Sequence, residues 1–334
     1  MVSNTITAVQ YGVGPIGQEI VRSAQRKGID VIGGIDIDPA KVGKTIDEVC
    51  EITTTESAVV SDDPDIHLSE SPSIVFHSTV SSIEESEPQL IEILEAGCDV
   101  ISTCEELSYP QHSNHDAAKR IDEVAKENGV TCLSTGINPG FVMDALPVLL
   151  STPVNRVDSI HVNRVQDAEQ RRISLQQKIG AGLPVAEFDS QIATGAGHVG
   201  SRESVAMLAD GVGWSLTEVS EAIEPVVADE TVDSHVAVTP GDVAGVNQTV
   251  RGTTASGKEI VLDLQMYVGA ENPRDEIRLQ GSQDLTVTVD GGYHGDYSTS
   301  AIVTNLVDNV LGSGSGLRTM LDIPTPSHRD TYSE

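Results

Sequence analysis

Residues 5–28 read TITAVQYGVGPIGQEIVRSAQRKG, and this stretch decides the fold. Its first part, TITAVQY (5–11), is a largely apolar run stopped by a glycine, the pattern of a buried strand. Gly12-Val13-Gly14-Pro15-Ile16-Gly17 follows at once. Ile16, Ile20, Val21 and Ala24 then recur at helical spacing, to about Lys27. A second strand, IDVIGGID (29–36), ends on Asp36, 19 residues beyond Gly17. The glycine motif alone is common, but strand, GxGxxG turn, helix, strand and acid in that order describe a dinucleotide-binding βαβ unit. Gly12 permits the tight turn, Gly14 lets backbone approach a pyrophosphate, and Gly17 lets helix and strand pack closely. Pro15 and Ile16 open the helix, whose free N–H groups and positive dipole end attract phosphate. Asp36 is expected to accept hydrogen bonds from the adenosine ribose hydroxyls. A carboxylate there repels a 2′-phosphate and Ile37 brings no compensating charge, so NAD is expected. Lys41 and Lys44 lie within reach, which keeps NADP as the alternative.

Working outward, strands are expected at 73–79 (SIVFHST), 99–103 (DVIST) and 130–135 (VTCLST), with helices at about 87–96 and 113–128 between them. The second of these helices starts at a Ser113 cap and turns Ala117, Ile121, Val124 and Ala125 inward. Strands alternating with helices imply a doubly wound parallel sheet of Rossmann type. The residues at its carboxyl edge, Ser78, Thr79, Thr103 and Asn138, are expected to line the nicotinamide half of the cofactor. Glu105 and Glu106 follow the 99–103 strand, and paired carboxylates at that edge are a signal of proton chemistry. The competing reading is an ordinary helix first turn rich in Glu.

Past residue 145 the period changes. Ile260, Leu262, Leu264, Met266 and Val268 alternate with Val261, Asp263, Gln265 and Tyr267, as do Leu285, Val287 and Val289 with Thr286 and Thr288. Ile160 and Val162 belong to a similar strand. Such alternation means an open sheet with one polar face. Helices are expected at about 202–213, after the capping box Ser215-x-x-Glu218, and at 299–311. The organisation expected is a Rossmann domain at 1–145, an inserted α+β substrate and dimerisation domain of antiparallel or mixed sheet at 146–297, and a returning helix and tail at 298–334.

The 334 residues carry 51 Asp and Glu against 20 Lys and Arg, a formal charge of −31. This charge repels nucleic acid and anionic membrane surfaces. Seven Lys against 13 Arg, with three Phe, one Trp and six Tyr, fit a protein that works in concentrated salt. Cys50, Cys98, Cys104 and Cys132 show no metal-ligand spacing, so neither a metal nor a disulfide framework is expected. The N-terminus has no signal-peptide pattern, and a cytoplasmic location is expected.

Several blocks resemble the 2,4-diaminopentanoate dehydrogenase family, relatives of dihydrodipicolinate reductase that include native amine dehydrogenases. They are STCEELSYP (102–110), STGINPGFVMDALP (134–147), QRRISLQQKIGAGL (170–183), GHVGSRESVAMLADGVGW (197–214), DLQMYVGAENPRDEIRLQG (263–281) and GGYHGDYSTSAIV (291–303). The resemblance implies NAD(P)-linked oxidative deamination of an amine or diamino acid, with a ketone and ammonia on the other side. Glu105 matches the glutamate of the amine dehydrogenases and is expected to be the proton-transfer group, with Glu106 as reserve. His198 and His294, in glycine-rich loops, and the cations Arg171 and Arg172 are candidate substrate contacts. Dihydrodipicolinate reductases carry His-His-x-x-Lys, and this chain has no His-His pair. That reductase is one alternative, and a non-catalytic NAD(H)-binding sensor is another. A homodimer is expected through the alternating sheet.

Overall fold

A computed structural model describes residues 5–54, 57–112, 115–169, 171, 173–193 and 197–332. The chain begins with β1 (Thr7–Tyr11), α1 (Pro15–Arg26), β2 (Asp30–Ile35), α2 (Ile46–Cys50), β3 (Val60–Ser61) and α3 (Asp65–Leu68). It continues through β4 (Ile74–His77), α4 (Ile83–Glu95), β5 (Asp99–Ser102), α5 (His115–Asn128) and β6 (Thr131–Ser134). Next come α6 (Ala145–Ser151), β7 (Val157–Asp167), α7 (Ile173–Lys178), α8 (Val185–Phe188) and α9 (Ser201–Gly211). Five strands follow: β8 (Leu216–Val227), β9 (Val243–Thr254), β10 (Glu259–Tyr267), β11 (Arg274–Gly281) and β12 (Leu285–Asp290). The last elements are α10 (Gly295–Asn305), α11 (Val307–Leu311) and β13 (Gly316–Arg318). Two compact units result, Met1–Phe141 with His294–Glu334, and Val142–Tyr293.

The first unit is a Rossmann-type fold around a seven-stranded sheet of order β13-β6-β5-β4-β1-β2-β3, parallel throughout. Its central strands are apolar runs because both faces are covered. On one face Ile83, Leu90, Ile93 and Leu94 of α4 join Ile121 and Ala125 of α5 in the core, each large side chain contributing about 2 kcal/mol by leaving water. On α1, Ile20, Val21 and Ala24 are buried while Ile16 is half-buried. Ser23 of α1 meets Thr304 of α10 through a 2.8 Å hydroxyl contact.

Helix α4 starts at Ile83, before the expected 87, because its cap comes from elsewhere: Glu106 Oε2 accepts from the Ile83 N–H at 2.9 Å. The expected Ser113 cap of α5 lies outside the described residues. The expected 299–311 helix is two, broken at Leu306, with Val303, Leu306, Val307 and Val310 buried.

The second unit holds a mixed sheet of order β12-β11-β7-β10-β9-β8, in which only the central β7–β10 pair is parallel. Its apolar face carries Ile260, Leu262 and Leu264, and a Cβ on Gly252 would meet Val205 of α9 at 2.8 Å. The segment after Ser215 is not a helix. It is the edge strand β8, paired with β9 from Leu216 to Val227. Thr217, Val219, Ile223, Val226 and Val227 suit a pleated edge, and Pro225 is tolerated where one row of N–H groups needs no partner. A Ser-x-x-Glu spacing without a helical apolar stripe behind it did not outweigh that pairing. Among the described residues no helix is long and apolar enough to cross a membrane.

Candidate functional site

The strand order of the first sheet reverses between β1 and β4, which makes the carboxyl ends of these strands the place where a ligand is seated. Gly12 has φ +86°, its N–H donates to Ile35 O at 2.7 Å, and a Cβ there would lie 2.4 Å from Ser78 O. A Cβ on Gly17 would fall 2.0 Å from Gly12 O. Gly14, by contrast, has nothing within 4 Å of a built Cβ. Pro15 heads α1, no side chain caps its N-terminus, and Ile16 fills the next position. Beneath the turn, buried Gln10 Nε2 donates to Gly12 O at 3.0 Å and to Ser78 Oγ at 2.9 Å, and Ser78 Oγ donates to Gly12 O at 3.0 Å. The Ser78 hydroxyl therefore shapes the glycine turn.

Asp36 ends the β2 side of the turn. Its carboxylate accepts from Val13 N–H (2.8 Å), Asp38 N–H (2.9 Å) and Lys41 Nζ (2.9 Å). Burial raises its pKa, but these donors outweigh burial and hold the carboxyl below its ordinary value. Ile37, the next residue, is 90% exposed.

Between β4 and β5 lies a buried polar chain that the sequence reading missed. His77 Nε2 faces Gln89 Oε1 at 2.9 Å and Thr79 Oγ1 at 3.0 Å, while its Nδ1 faces Ser102 Oγ at 2.9 Å. Thr79 Oγ1 also donates to Gln89 Oε1 at 2.8 Å. Since Gln89 Oε1 only accepts, the proton sits on Nε2, and Nδ1 receives the Ser102 hydroxyl. Burial pushes the His77 pKa down to about 4, so the ring is neutral. Ser102 Oγ in turn accepts the Cys104 N–H at 3.0 Å, Ser134 Oγ donates to Cys104 O at 2.6 Å, and Cys104 Sγ donates to Ser81 O at 3.1 Å. Cys104, the residue before Glu105, is thus held on three sides. Its thiol is pushed up to about 11 by burial and is inert as a nucleophile. A lone histidine in the apolar run SIVFHST was the signal available.

The two glutamates part company here. Glu106 is spent on α4, its Oε2 accepting from Ile83 N–H. Glu105, half-buried, opens the short 3₁₀ turn Glu105–Ser108, and its backbone O accepts from Ser108 Oγ at 2.7 Å. Thr103, half-buried, donates its N–H to His77 O at 2.9 Å. After β6, the Thr135 hydroxyl and both polar atoms of Asn138 are buried without a hydrogen-bond partner among the described residues. Ile137 N–H, between them, donates to Thr299 Oγ1 of α10 at 3.2 Å. His294, exposed at the N-cap of α10, stacks on Tyr297 with ring centroids 4.6 Å apart.

The remaining candidates belong to the second unit. His198 has its N–H and C=O bound by buried Gln248 (2.6 and 3.0 Å), and its Nδ1 faces Val199 O at 2.6 Å. Arg171 is half-buried, its C=O accepting from Gln176 Nε2 at 3.2 Å. Arg172 lies outside the described residues.

Residues 141–331 match the model of the 2,4-diaminopentanoate dehydrogenase C-terminal domain. The chain is 30% identical over 292 residues to the 2,4-diaminopentanoate dehydrogenase of Acetoanaerobium sticklandii, covering 84% of this chain and 83% of that one. It is 20% identical over 349 positions to the amine dehydrogenase of Streptomyces virginiae, covering 96% of each. Among solved structures, the amine dehydrogenase from Mycobacterium smegmatis shares the fold with a TM-score of 0.87, at 23% identity over 98% of both chains. The dihydrodipicolinate reductase from Paenisporosarcina sp. TG-14 shares it more loosely, with a TM-score of 0.54 at 13% identity, over 96% of this chain and 99% of that one.

Proposed function

The chain belongs to the 2,4-diaminopentanoate dehydrogenase family, and on that premise we propose that it deaminates a small amine or diamino acid oxidatively and reversibly. The cofactor is a nicotinamide dinucleotide, and NAD is preferred over NADP. The residues present fit that group. Gly12, Gly14 and Gly17, with the uncapped α1 N-terminus at Pro15 and Ile16, would hold the pyrophosphate. Asp36 would hold the adenosine ribose, and Thr135 and Asn138, whose buried polar atoms lack partners among the described residues, would hold the nicotinamide amide. Thr79 and Thr103 would line the ring, while Ser78 keeps the turn in shape.

When bound, an oxidised nicotinamide would supply the hydride acceptor for the amine-bearing carbon, whose loss of hydride gives an iminium. Glu105 would take the ammonium proton and release it to solvent before the hydride leaves, so that the amine is neutral and the carboxylate is charged to stabilise the iminium. The same carboxylate would then take a proton from the water that adds to the iminium carbon and pass it to the nitrogen, so that ammonia departs and the hydroxyl, losing its proton, becomes the ketone. His294 is the first unit's candidate contact for the rest of the substrate. The observation that carries this reading is the division of labour between the glutamates: Glu106 is committed to α4, and Glu105 follows a clamped Cys104 at the end of β5. The test is reduction of NAD by a panel of short amines and diamino acids. Turnover with none of them, and turnover instead of a cyclic dihydrodicarboxylate imine with NADH, would replace this reading by the reductase one.

A further inference from the structure

The last residues of three neighbouring strands, His77 of β4, Ser102 of β5 and Ser134 of β6, stand in register across the first sheet. Their side chains form a buried polar row at the carboxyl edge, the ligand side of such a sheet. The rest of β4 is Ile74, Val75 and Phe76, all buried, so packing alone asks for another apolar side chain at 77. A buried imidazole needs both nitrogens satisfied, and here each nitrogen ties down a different segment. Through Nδ1 the ring accepts the Ser102 hydroxyl at 2.9 Å, which leaves the Ser102 oxygen lone pairs to the Cys104 N–H at 3.0 Å. Cys104 is the residue before Glu105. Through Nε2 the ring donates to Gln89 Oε1 of α4 at 2.9 Å and to Thr79 Oγ1 at 3.0 Å, closing a triangle with the 2.8 Å Thr79–Gln89 bond. The His77 backbone adds a third tie, its C=O accepting the Thr103 N–H at 2.9 Å. Burial holds the ring's pKa down at about 4, so one acceptor and one donor are kept across the neutral range.

We propose that His77 is a positioning residue, which sets Glu105 through Ser102 and Cys104 with one ring nitrogen and sets Thr79 with the other. The inference rests on the roles given above to Glu105 in proton transfer and to Thr79 beside the nicotinamide. Fully buried, His77 acts on the reaction only through these neighbours. Misplacing a reacting group by about 1 Å costs on the order of 10²-fold in rate, so a small release of the Glu105 segment is enough. The two duties separate because an amide can copy either nitrogen. The Asn amide atoms lie, like Nδ1, one bond beyond Cγ, and those of Gln lie, like Nε2, one atom further out. His77→Asn therefore still offers Ser102 an acceptor and leaves Gln89 and Thr79 without their donor. His77→Gln does the reverse.

The experiment is steady-state deamination of the panel of short amines and diamino acids, with NAD⁺ dissociation constants by calorimetry and thermal melts. It compares wild type, His77→Gln, His77→Asn and Ser102→Ala. His77→Gln and Ser102→Ala should lose about 10–100-fold in kcat, with the NAD⁺ dissociation constant changed less than about threefold. His77→Asn should keep kcat within about threefold and weaken NAD⁺ binding by about fivefold or more. Equal losses of kcat in the two His77 variants, matched by equally lowered melting temperatures, mark a merely structural histidine and overturn the proposal. Full activity in Ser102→Ala overturns it too, and that variant decides the matter if the His77 replacements do not fold. Wild type that reduces NAD⁺ with no amine overturns the catalytic reading and this inference with it. Failure of His77 alone is told apart from that result, because wild type then turns over and the variants match it.

Discussion

Glu105 and Glu106 are neighbours with different duties, and single substitutions should separate them. Glu105→Gln keeps size and removes the base. General acid–base groups contribute ~10²–10⁴-fold, so kcat for deamination should fall by that much, with the dissociation constant for NAD⁺ nearly unchanged. Glu106→Ala should cost about 1 kcal/mol of stability through the lost cap on α4, with a milder effect on kcat. If Glu106→Ala is dead while Glu105→Gln turns over normally, the proton-transfer role belongs to Glu106. His77 gives a prediction in pH. Its pKa is about 4 when folded against an ordinary 6.5, so in that interval the unfolded chain takes up a proton that the folded chain refuses. The stability carried by the neutral ring is therefore complete above pH 6.5 and lost as pH falls toward 4, by up to about 3 kcal/mol. Urea unfolding at several pH values should show His77→Gln with a flatter acid limb than wild type. Equal slopes would mean that His77 is not the titrating group.

Among the elements, β7 and β11 are joined by a pair that has no solvent to fall back on. Arg164 Nη1 reaches both Asp275 oxygens at 2.9 Å, with side-chain exposures of 4% and 0%. The same two side chains grip Tyr293, Arg164 Nη2 donating to its C=O at 2.7 Å and Asp275 accepting its N–H at 2.7 Å. Burial lowers the pKa of Arg164 and raises that of Asp275, which records the cost of holding both charges out of water. Removing one partner leaves the other uncompensated, so Asp275→Ala should destabilise by about 3–5 kcal/mol. The double variant Arg164→Met with Asp275→Leu should recover a good part of that loss in chemical denaturation. A double variant no better than the single one would show that the grip on Tyr293, rather than the charge, is what matters.

At the scale of the whole molecule the governing quantity is charge. With a formal −31 spread over the chain, the melting temperature should climb as KCl rises from low to molar concentration, because screening relieves self-repulsion. A flat curve would separate the acidic composition from any need for salt. We also propose that the polar face of the second sheet, carrying His161, Asn163, Asn247, Thr249, Asp263 and Gln265, pairs two copies of the chain. His161 and Asp263 bond each other at 2.6 Å across β7 and β10, yet Asn163 Oδ1 and Asn247 Oδ1 are buried without a partner among the described residues. Light scattering should report a dimer, and a monomer at micromolar concentration would leave this face without that role.

The sequence by itself determined the first unit, because its signals are local. A buried parallel strand is an unbroken apolar run, a GxGxxG turn needs its glycines where φ turns positive or a Cβ has no room, and both rules act over a few residues. Alternation likewise disclosed β10 and β12, and the pairing of blocks with a known family identified the chemistry. Only the tertiary structure decided which of two adjacent glutamates was already engaged, since the donor to Glu106 is the N–H of Ile83, 23 residues earlier. Only it turned Ser215–Glu218 from a helix start into an edge strand, because pairing with β9 outweighs a two-residue capping signal. The His77–Ser102–Cys104 chain was invisible for the same reason. A hydrogen bond is worth only what its partner's position allows, and position is what folding supplies.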